Sequence, residues 1–219
     1  MEIYHVLNRG VEKRDIVKNN DDRMRFVRGL YLFNDRNNAP NAISQKGITL
    51  DSAPKRELLV KIHAWCLMNN HYHLLLSPVD DDIANISLFM KKVNMGYAKF
   101  FNEKYDRSGY LWQGRYKKIL IETDAHFNYI PYYIHLNPLD RLHKQWRVGG
   151  VTDCTEALGV LDTYRWSSYL DYQGTKNFPS VLHTQFLKHI LGTPKQQSHT
   201  IESIISDSSF NNTSEKFET

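Results

Sequence analysis

The sequence predicts an α+β fold: a ferredoxin-like antiparallel sheet with helices on one face, one additional helix after the last strand, and a C-terminal extension. Three observations carry this expectation. The apolar pattern switches between strand and helix periods in the order strand, helix, strand, strand, helix, strand. The second and third strands are separated only by Asn69-Asn70, a natural reversal between paired antiparallel strands. A further helical segment, carrying Tyr133 and Asn137, follows once the sheet is complete.

The first strand covers residues 2 to 8, with Ile3, His5 and Leu7 on one face and Tyr4 and Val6 on the other, closed by Asn8-Arg9-Gly10. From Asp21 to about Phe33, Met24, Val27, Leu30 and Tyr31 recur at helical spacing, with Asn20 or Asp21 placed to cap the first turn. Residues 34–57 are polar and read as a long loop or mobile insertion. Residues 58–68 form the second strand. The third holds Asn69-Asn70-His71-Tyr72-His73-Leu74-Leu75-Leu76. Asp80-Asp81-Asp82 then precedes a helix over 83–104, where capping fits the triplet better than metal binding. Residues 116–121 make the fourth strand, and Thr123 or Asp124 caps the helix that runs towards Asn137-Pro138.

At 219 residues the chain is long enough for one main domain, with 41% hydrophobic and 24% charged residues in the globular range. The division expected is a domain over 1–138, an extension over 139–194 that binds DNA or packs, and a disordered tail over 195–219. No apolar run approaches the roughly 18 residues of a membrane span, and Met1-Glu2-Ile3-Tyr4-His5-Val6 reads as strand rather than signal peptide. A cytoplasmic protein with reduced Cys66 and Cys154 is expected. The net charge of +4 understates its basic character, because residues 1–195 hold 27 basic and 20 acidic side chains. That surplus suggests a polyanionic partner.

Side chains alternate along a strand, so His71 and His73 project from one face and can share one divalent ion, while Tyr72 projects from the other. His63 is a conceivable third ligand, although beside Trp65 a packing role is the simpler reading. Tyr133 and Asn137 are four residues apart and share a helix face. If that face meets the histidines, Asn137 offers an amide oxygen as third ligand and Tyr133 stands beside the metal as nucleophile. A free tyrosine, with pKa near 10, is a poor nucleophile, so a metal on the scissile phosphate supplies what it lacks. The product is a 5′-phosphotyrosine with a free 3′-hydroxyl, and a second 3′-hydroxyl can reverse the step without ATP. Tyr132, with His135 three residues on, and Tyr129 compete for the role.

Between 105 and 118, Tyr105, Tyr110, Trp112 and Tyr116 are interleaved with Arg107, Arg115, Lys117 and Lys118. The cations can meet phosphates and the rings can stack on unpaired bases; a loop that docks its rings on the core explains the same pattern. The stretch 139–151, with Arg141, His143, Lys144 and Arg147, and the segment Tyr164-Arg165-Trp166-Ser167-Ser168-Tyr169 admit the same two readings.

At these residues the chain resembles the single-tyrosine HUH transposases (IS200-like), most closely the REP-associated tyrosine transposases. His71-Tyr72-His73 looks like the HUH motif. The further matches are Tyr4-His5-Val6 with Asn8-Arg9-Gly10, Ser108-Gly109-Tyr110-Leu111-Trp112-Gln113-Gly114-Arg115-Tyr116, Tyr133-Ile134-His135-Leu136-Asn137-Pro138 and Trp166-Ser167-Ser168-Tyr169. The resemblance implies a ferredoxin-like fold, Mg²⁺ or Mn²⁺ on His71, His73 and Asn137, and Tyr133 as nucleophile. It also implies single-stranded DNA with palindromic hairpins as substrate. The expected DNA contacts are Arg9, Arg107, Tyr110, Trp112, Arg115, Lys117 and Lys118, in a monomer or homodimer. Three features depart from the family pattern: Asn69-Asn70 replaces Pro-Asn, Pro131 should kink or delay the nucleophile helix, and the 34–57 segment is longer than expected, as a local elaboration would be. The rival reading is a non-catalytic nucleic-acid-binding module on the same scaffold. A relaxase or replication initiator, and a metallohydrolase using water, are further alternatives.

Overall fold

The computed structural model describes residues 1–37, 56–142 and 144–207. Most of the expected 34–57 insertion, His143 and the end of the tail lie outside the described residues. Four strands, β1 (Tyr4–Arg9), β2 (Val60–Leu67), β3 (His71–Pro78) and β4 (Lys117–Leu120), form one sheet in the order β2-β3-β1-β4 with every neighbouring pair antiparallel. This is the ferredoxin-like arrangement the element order predicts. The register aligns Arg9 with His71, Leu7 with His73 and His5 with Leu75. His5 and Arg9 therefore share the face of the two histidines.

The opposite face is covered by α1 (Asn20–Leu32) and α2 (Ala84–Lys104). Tyr4, Val6, Leu74 and Leu76 from the sheet close a core with Phe26, Leu30, Phe89 and Val93. Asn19, one residue before the expected caps, starts α1: its side chain accepts from the Asp22 amide while Asp22 accepts from the Asn19 amide. Asp82 accepts from the Ala84 amide at 3.0 Å, in keeping with a capping role. Gly10 is required after β1, since a Cβ there would sit 2.4 Å from the Arg14 carbonyl oxygen.

The helix α3 (Asp124–Leu136) lies across the histidine face and remains helical through Pro131, beginning at Thr123, whose side chain accepts from the His126 amide. The extension continues over it as α4 (Cys154–Thr163), α5 (Tyr169–Tyr172), α6 (Gln185–Leu191) and α7 (Pro194–Ser206). Leu161, Leu187, Ile201 and Ile205 are fully buried against Ile130, Ile134, Cys66 and Leu75. Each such side chain contributes about 1.5–3 kcal/mol on burial, which makes the extension an integral layer of the fold. It also zips the open edge of β2: the Leu67 amide donates to the Trp166 carbonyl and the Ser168 amide to the Trp65 carbonyl, both at 2.9 Å.

The helices α1 and α2 on one face, with α3 as the additional helix and the extension beyond it, match the expected fold class. One expectation is corrected here: residues 194–206 of the supposed tail form α7, capped by Thr193 and Gln196. No helix among the described residues is long and apolar enough to cross a membrane.

Candidate active site

The strand alternation sets His71 and His73 side by side, with ring centroids 5.0 Å apart and planes nearly perpendicular. Both are anchored through Nδ1. His71 Nδ1 lies 2.6 Å from Asn70 Oδ1, and His73 Nδ1 lies 2.9 Å from Nε2 of His5. His73 Nε2 is buried and has no hydrogen-bond partner among the described residues. Burial pushes the His71 imidazole down to about 4, reinforced by the charge of Arg9. Burial and the neighbouring His71 hold His73 well below the ordinary histidine range. Both rings are therefore neutral at pH 7, the form that binds a metal.

The face of α3 that meets the sheet carries Tyr129, Tyr133 and Asn137. The Tyr133 ring stands edge-on to His73, with centroids 5.6 Å apart, and edge-on to His5 at 6.0 Å. One chain thus brings Tyr133 to its own histidine pair. Asn137 lies at the end of α3, donates to the Tyr133 carbonyl at 2.7 Å, and is close enough to His71 to influence its ring. Its Oδ1 accepts from Arg147 Nη2 at 3.2 Å and retains a second lone pair. Among the described residues no three His, Cys, Asp or Glu side chains gather as a metal site. The groups that could hold a divalent ion are His73 Nε2, His71 and the Asn137 amide. The unpartnered Nε2 and the neutral rings fit that role.

The competing tyrosine and histidine face elsewhere. Tyr132 lies beside Thr200 of α7, and His135 meets Ser168 Oγ at 2.8 Å between Tyr169 and Tyr172. Tyr129 shares the Tyr133 face, with ring centroids 6.3 Å apart, and burial pushes its hydroxyl up to about 12. His63 is held between Ser77 Oγ and the His183 carbonyl, as a packing residue would be.

Of the expected DNA contacts, Arg9 stands nearest the site, opposite His71 in the register. It lines a cleft of about 380 Å³ with Asn69, His71 and Arg141. A second cleft of about 280 Å³ is lined by the same Arg9 with Gln113, Arg115 and Lys117. Arg9 thus lines both clefts, and His71 lines the first. Tyr110 is 88% exposed and available to stack. Three residues are placed otherwise. Trp112 docks on the core, donating to the Asn94 carbonyl at 2.9 Å with its ring against Tyr72. Arg107 is held by Asn102 Oδ1 at the end of α2, and Lys118 lies over the Tyr4 ring on the far face of the sheet. Alternation makes the last unavoidable, because Lys117 and Lys118 cannot share a face.

Sequence reasoning passed over three groups that complete the site. His5 was legible as a same-face strand residue, but only the β1–β3 register brings it to His73. Asp140 accepts from Arg147 at 3.0 and 2.7 Å and from Trp146 Nε1 at 2.6 Å. Arg147, one cation of a basic stretch, lies over the Tyr133 ring 5.1 Å from its centroid, and Trp146 packs alongside. Tyr133 is fully buried beneath them.

The family described as "Transposase IS200 like" matches residues 43–137, which include the histidine strand, Tyr133 and Asn137. No curated protein matches the chain. Among solved structures, "Structure of the REP associates tyrosine transposase bound to a REP hairpin" is similar at 13% identity and a TM-score of 0.45, covering 81% of this chain and 82% of that one. The paired histidines and the facing tyrosine thus lie inside the 43–137 segment that is similar to the IS200-like transposase family.

Proposed function

We propose that this protein is a metal-dependent transposase acting on single-stranded DNA, cleaving beside hairpins through a 5′-phosphotyrosine intermediate, with Tyr133 as nucleophile and Mg²⁺ or Mn²⁺ on His71, His73 and Asn137. The observation that carries the reading is the edge of the Tyr133 ring set against His73, whose buried Nε2 has no hydrogen-bond partner among the described residues. A divalent ion on these ligands would polarise the scissile phosphate and stabilise the charge building there.

The chain's own residues do the rest. Arg9, which lines the cleft at His71, and Arg115 and Lys117, which line a second cleft with it, hold the backbone of an unpaired strand. Tyr133 Oη forms the bond to phosphorus as the bond to the 3′-oxygen breaks; the phenolic proton leaves and the 3′-oxygen takes one up. Energy is conserved in the protein–DNA link, so a second 3′-hydroxyl rejoins strands by the reverse step. Because Arg147 and Trp146 cover Tyr133, the incoming strand displaces them.

The test is incubation of the protein with single-stranded DNA carrying the palindromes and flanks beside its own gene, with Mn²⁺ or Mg²⁺, followed by a denaturing gel. A covalent adduct that disappears in Tyr133→Phe and in His71→Ala is the expected result. An adduct retained in Tyr133→Phe but lost in Tyr132→Phe moves the nucleophile by one residue. Binding without cleavage across metals and substrates favours the nucleic-acid-binding module instead.

A further inference from the structure

Among the described residues, neither histidine of the pair is held by the carboxylate or backbone carbonyl that commonly orients a metal-binding imidazole. In both, a neutral side chain engages Nδ1. We infer that His5 and Asn70 are positioning residues, which fix His73 and His71 as the tautomers protonated on Nδ1 and so leave both Nε2 lone pairs bare for a metal. The inference rests on the metal-dependent reading above and adds to it the groups that make the ligand pair competent.

For His71 the hydrogen-bond chain fixes the direction. Asn70 Nδ2 donates to the Lys13 carbonyl at 3.1 Å, so its amide cannot be turned round, and Oδ1 is the atom facing His71 Nδ1. A carbonyl oxygen only accepts. His71 Nδ1 therefore carries the proton and its Nε2 does not. Lys13 itself is tied into the turn after β1, where φ is 57°. Gly10 donates to the Asn70 carbonyl at 2.8 Å. The orienting amide thus rests on backbone as well as side chain.

For His73 the contact with His5 admits two arrangements. Either His73 Nδ1–H donates to His5 Nε2, or His5 Nε2–H donates to His73 Nδ1. The second puts the remaining proton of a neutral His73 on Nε2, an N–H buried with no acceptor among the described residues. The first puts the His5 proton on its own buried Nδ1, so the cost of a buried N–H does not separate the two arrangements. Only the first leaves His73 Nε2 as the bare ring nitrogen that a metal ion binds, and it is the arrangement the metal-dependent reading selects. His5 is fully buried and its ring stacks on His73 with planes 12° apart, which also fixes the ring's tilt.

The experiment uses the full chain. The ring nitrogens of ¹⁵N-histidine-labelled, metal-free protein are read by NMR, and Mn²⁺ binding is titrated by the loss of the free-ion electron paramagnetic resonance signal. Wild type should show a protonated Nδ1 and bare Nε2 at both His71 and His73. His5→Phe keeps a flat ring but no acceptor; it should mix the His73 tautomers and weaken Mn²⁺ binding by about 10–100-fold. His5→Gln can still accept through Oε1 and should restore most of the loss, which a merely structural role would not predict. Asn70→Leu should act on His71 alone, with rescue by Asn70→Asp. Should His5→Phe fail to fold, the wild-type spectrum and His5→Gln decide. A protonated Nε2 on His73 in wild type, or unchanged Mn²⁺ affinity in both His5→Phe and Asn70→Leu, overturns the inference. Wild type that binds no Mn²⁺ sinks the metal-dependent reading, while the nitrogen spectra still decide the tautomers.

Discussion

The Asp140–Arg147 pair is the site's most demanding polar contact, and removing the guanidinium measures it. Arg147 offers Nε and Nη2 to the two carboxylate oxygens at 3.0 and 2.7 Å and reaches Asn137 Oδ1 with Nη2. An exposed ion pair is worth roughly 0.2–1 kcal/mol, while breaking a buried one costs about 3–5 kcal/mol. Here the side chains are 18% and 29% exposed, so the pair lies between these limits. Arg147→Ala should therefore destabilise the protein by about 2 kcal/mol, lowering Tm by roughly 4–8 °C for a chain of this size. Arg147→Lys keeps the charge but loses the fork, and should recover about half. Urea unfolding followed by tryptophan fluorescence gives the free energies, with Trp146 beside the cut contact. A loss below about 0.5 kcal/mol would show that the pair behaves as a solvated surface contact and that Arg147 is not held over Tyr133 by Asp140.

Further predictions concern the scaffold. Burial pushes His63 down to about 4, against the helping His183 carbonyl, while the unfolded chain titrates near 6.5. Its contribution is thus complete above pH 6.5 and lost on acidification towards pH 4. Wild type should lose about 3 kcal/mol more than His63→Gln across that window, and equal losses would assign the acid sensitivity elsewhere. Burial alone would raise the Asp22 carboxyl, but the Lys104 ammonium, the Lys18 amide and the Tyr105 hydroxyl outweigh it and hold the group below its ordinary value. Asp22→Asn should cost about 1–3 kcal/mol at pH 7, a gap that closes as pH falls through the folded carboxyl's depressed range; a pH-independent gap would refute the assignment. Gly10→Ala meets a backbone carbonyl at 2.4 Å. Overpacking there should cost about 1–3 kcal/mol and weaken Mn²⁺ binding by shifting the turn that supports Asn70, both readable in the same titrations.

What could be read from the chain depended on how local the signal was. The placement of His71 and His73 on one face follows from strand alternation alone, and Tyr133 and Asn137 share a face because four residues make about one helical turn. Their meeting required tertiary information: α3 had to cover that side of the sheet. His5 shows the limit well, since its face was evident but its partner depended on a register no local pattern encodes. Trp112 shows another, because an aromatic among arginines looks the same whether it stacks on a base or donates to the Asn94 carbonyl. The helix α7 was legible and overlooked. Thr193 and Gln196 form a capping box around Pro194, and Ile201, Ile204 and Ile205 repeat at helical spacing, but the Ser and Thr content obscured them.

The central claim is that Tyr133 becomes joined to DNA, and mass spectrometry of the trapped adduct tests it most directly. After reaction with single-stranded DNA and Mn²⁺, nuclease trimming and proteolysis, the account predicts a 5′-phosphonucleotide on Tyr133. The same modification on Tyr129 or Tyr132, or cleaved DNA with no modified tyrosine, would contradict it.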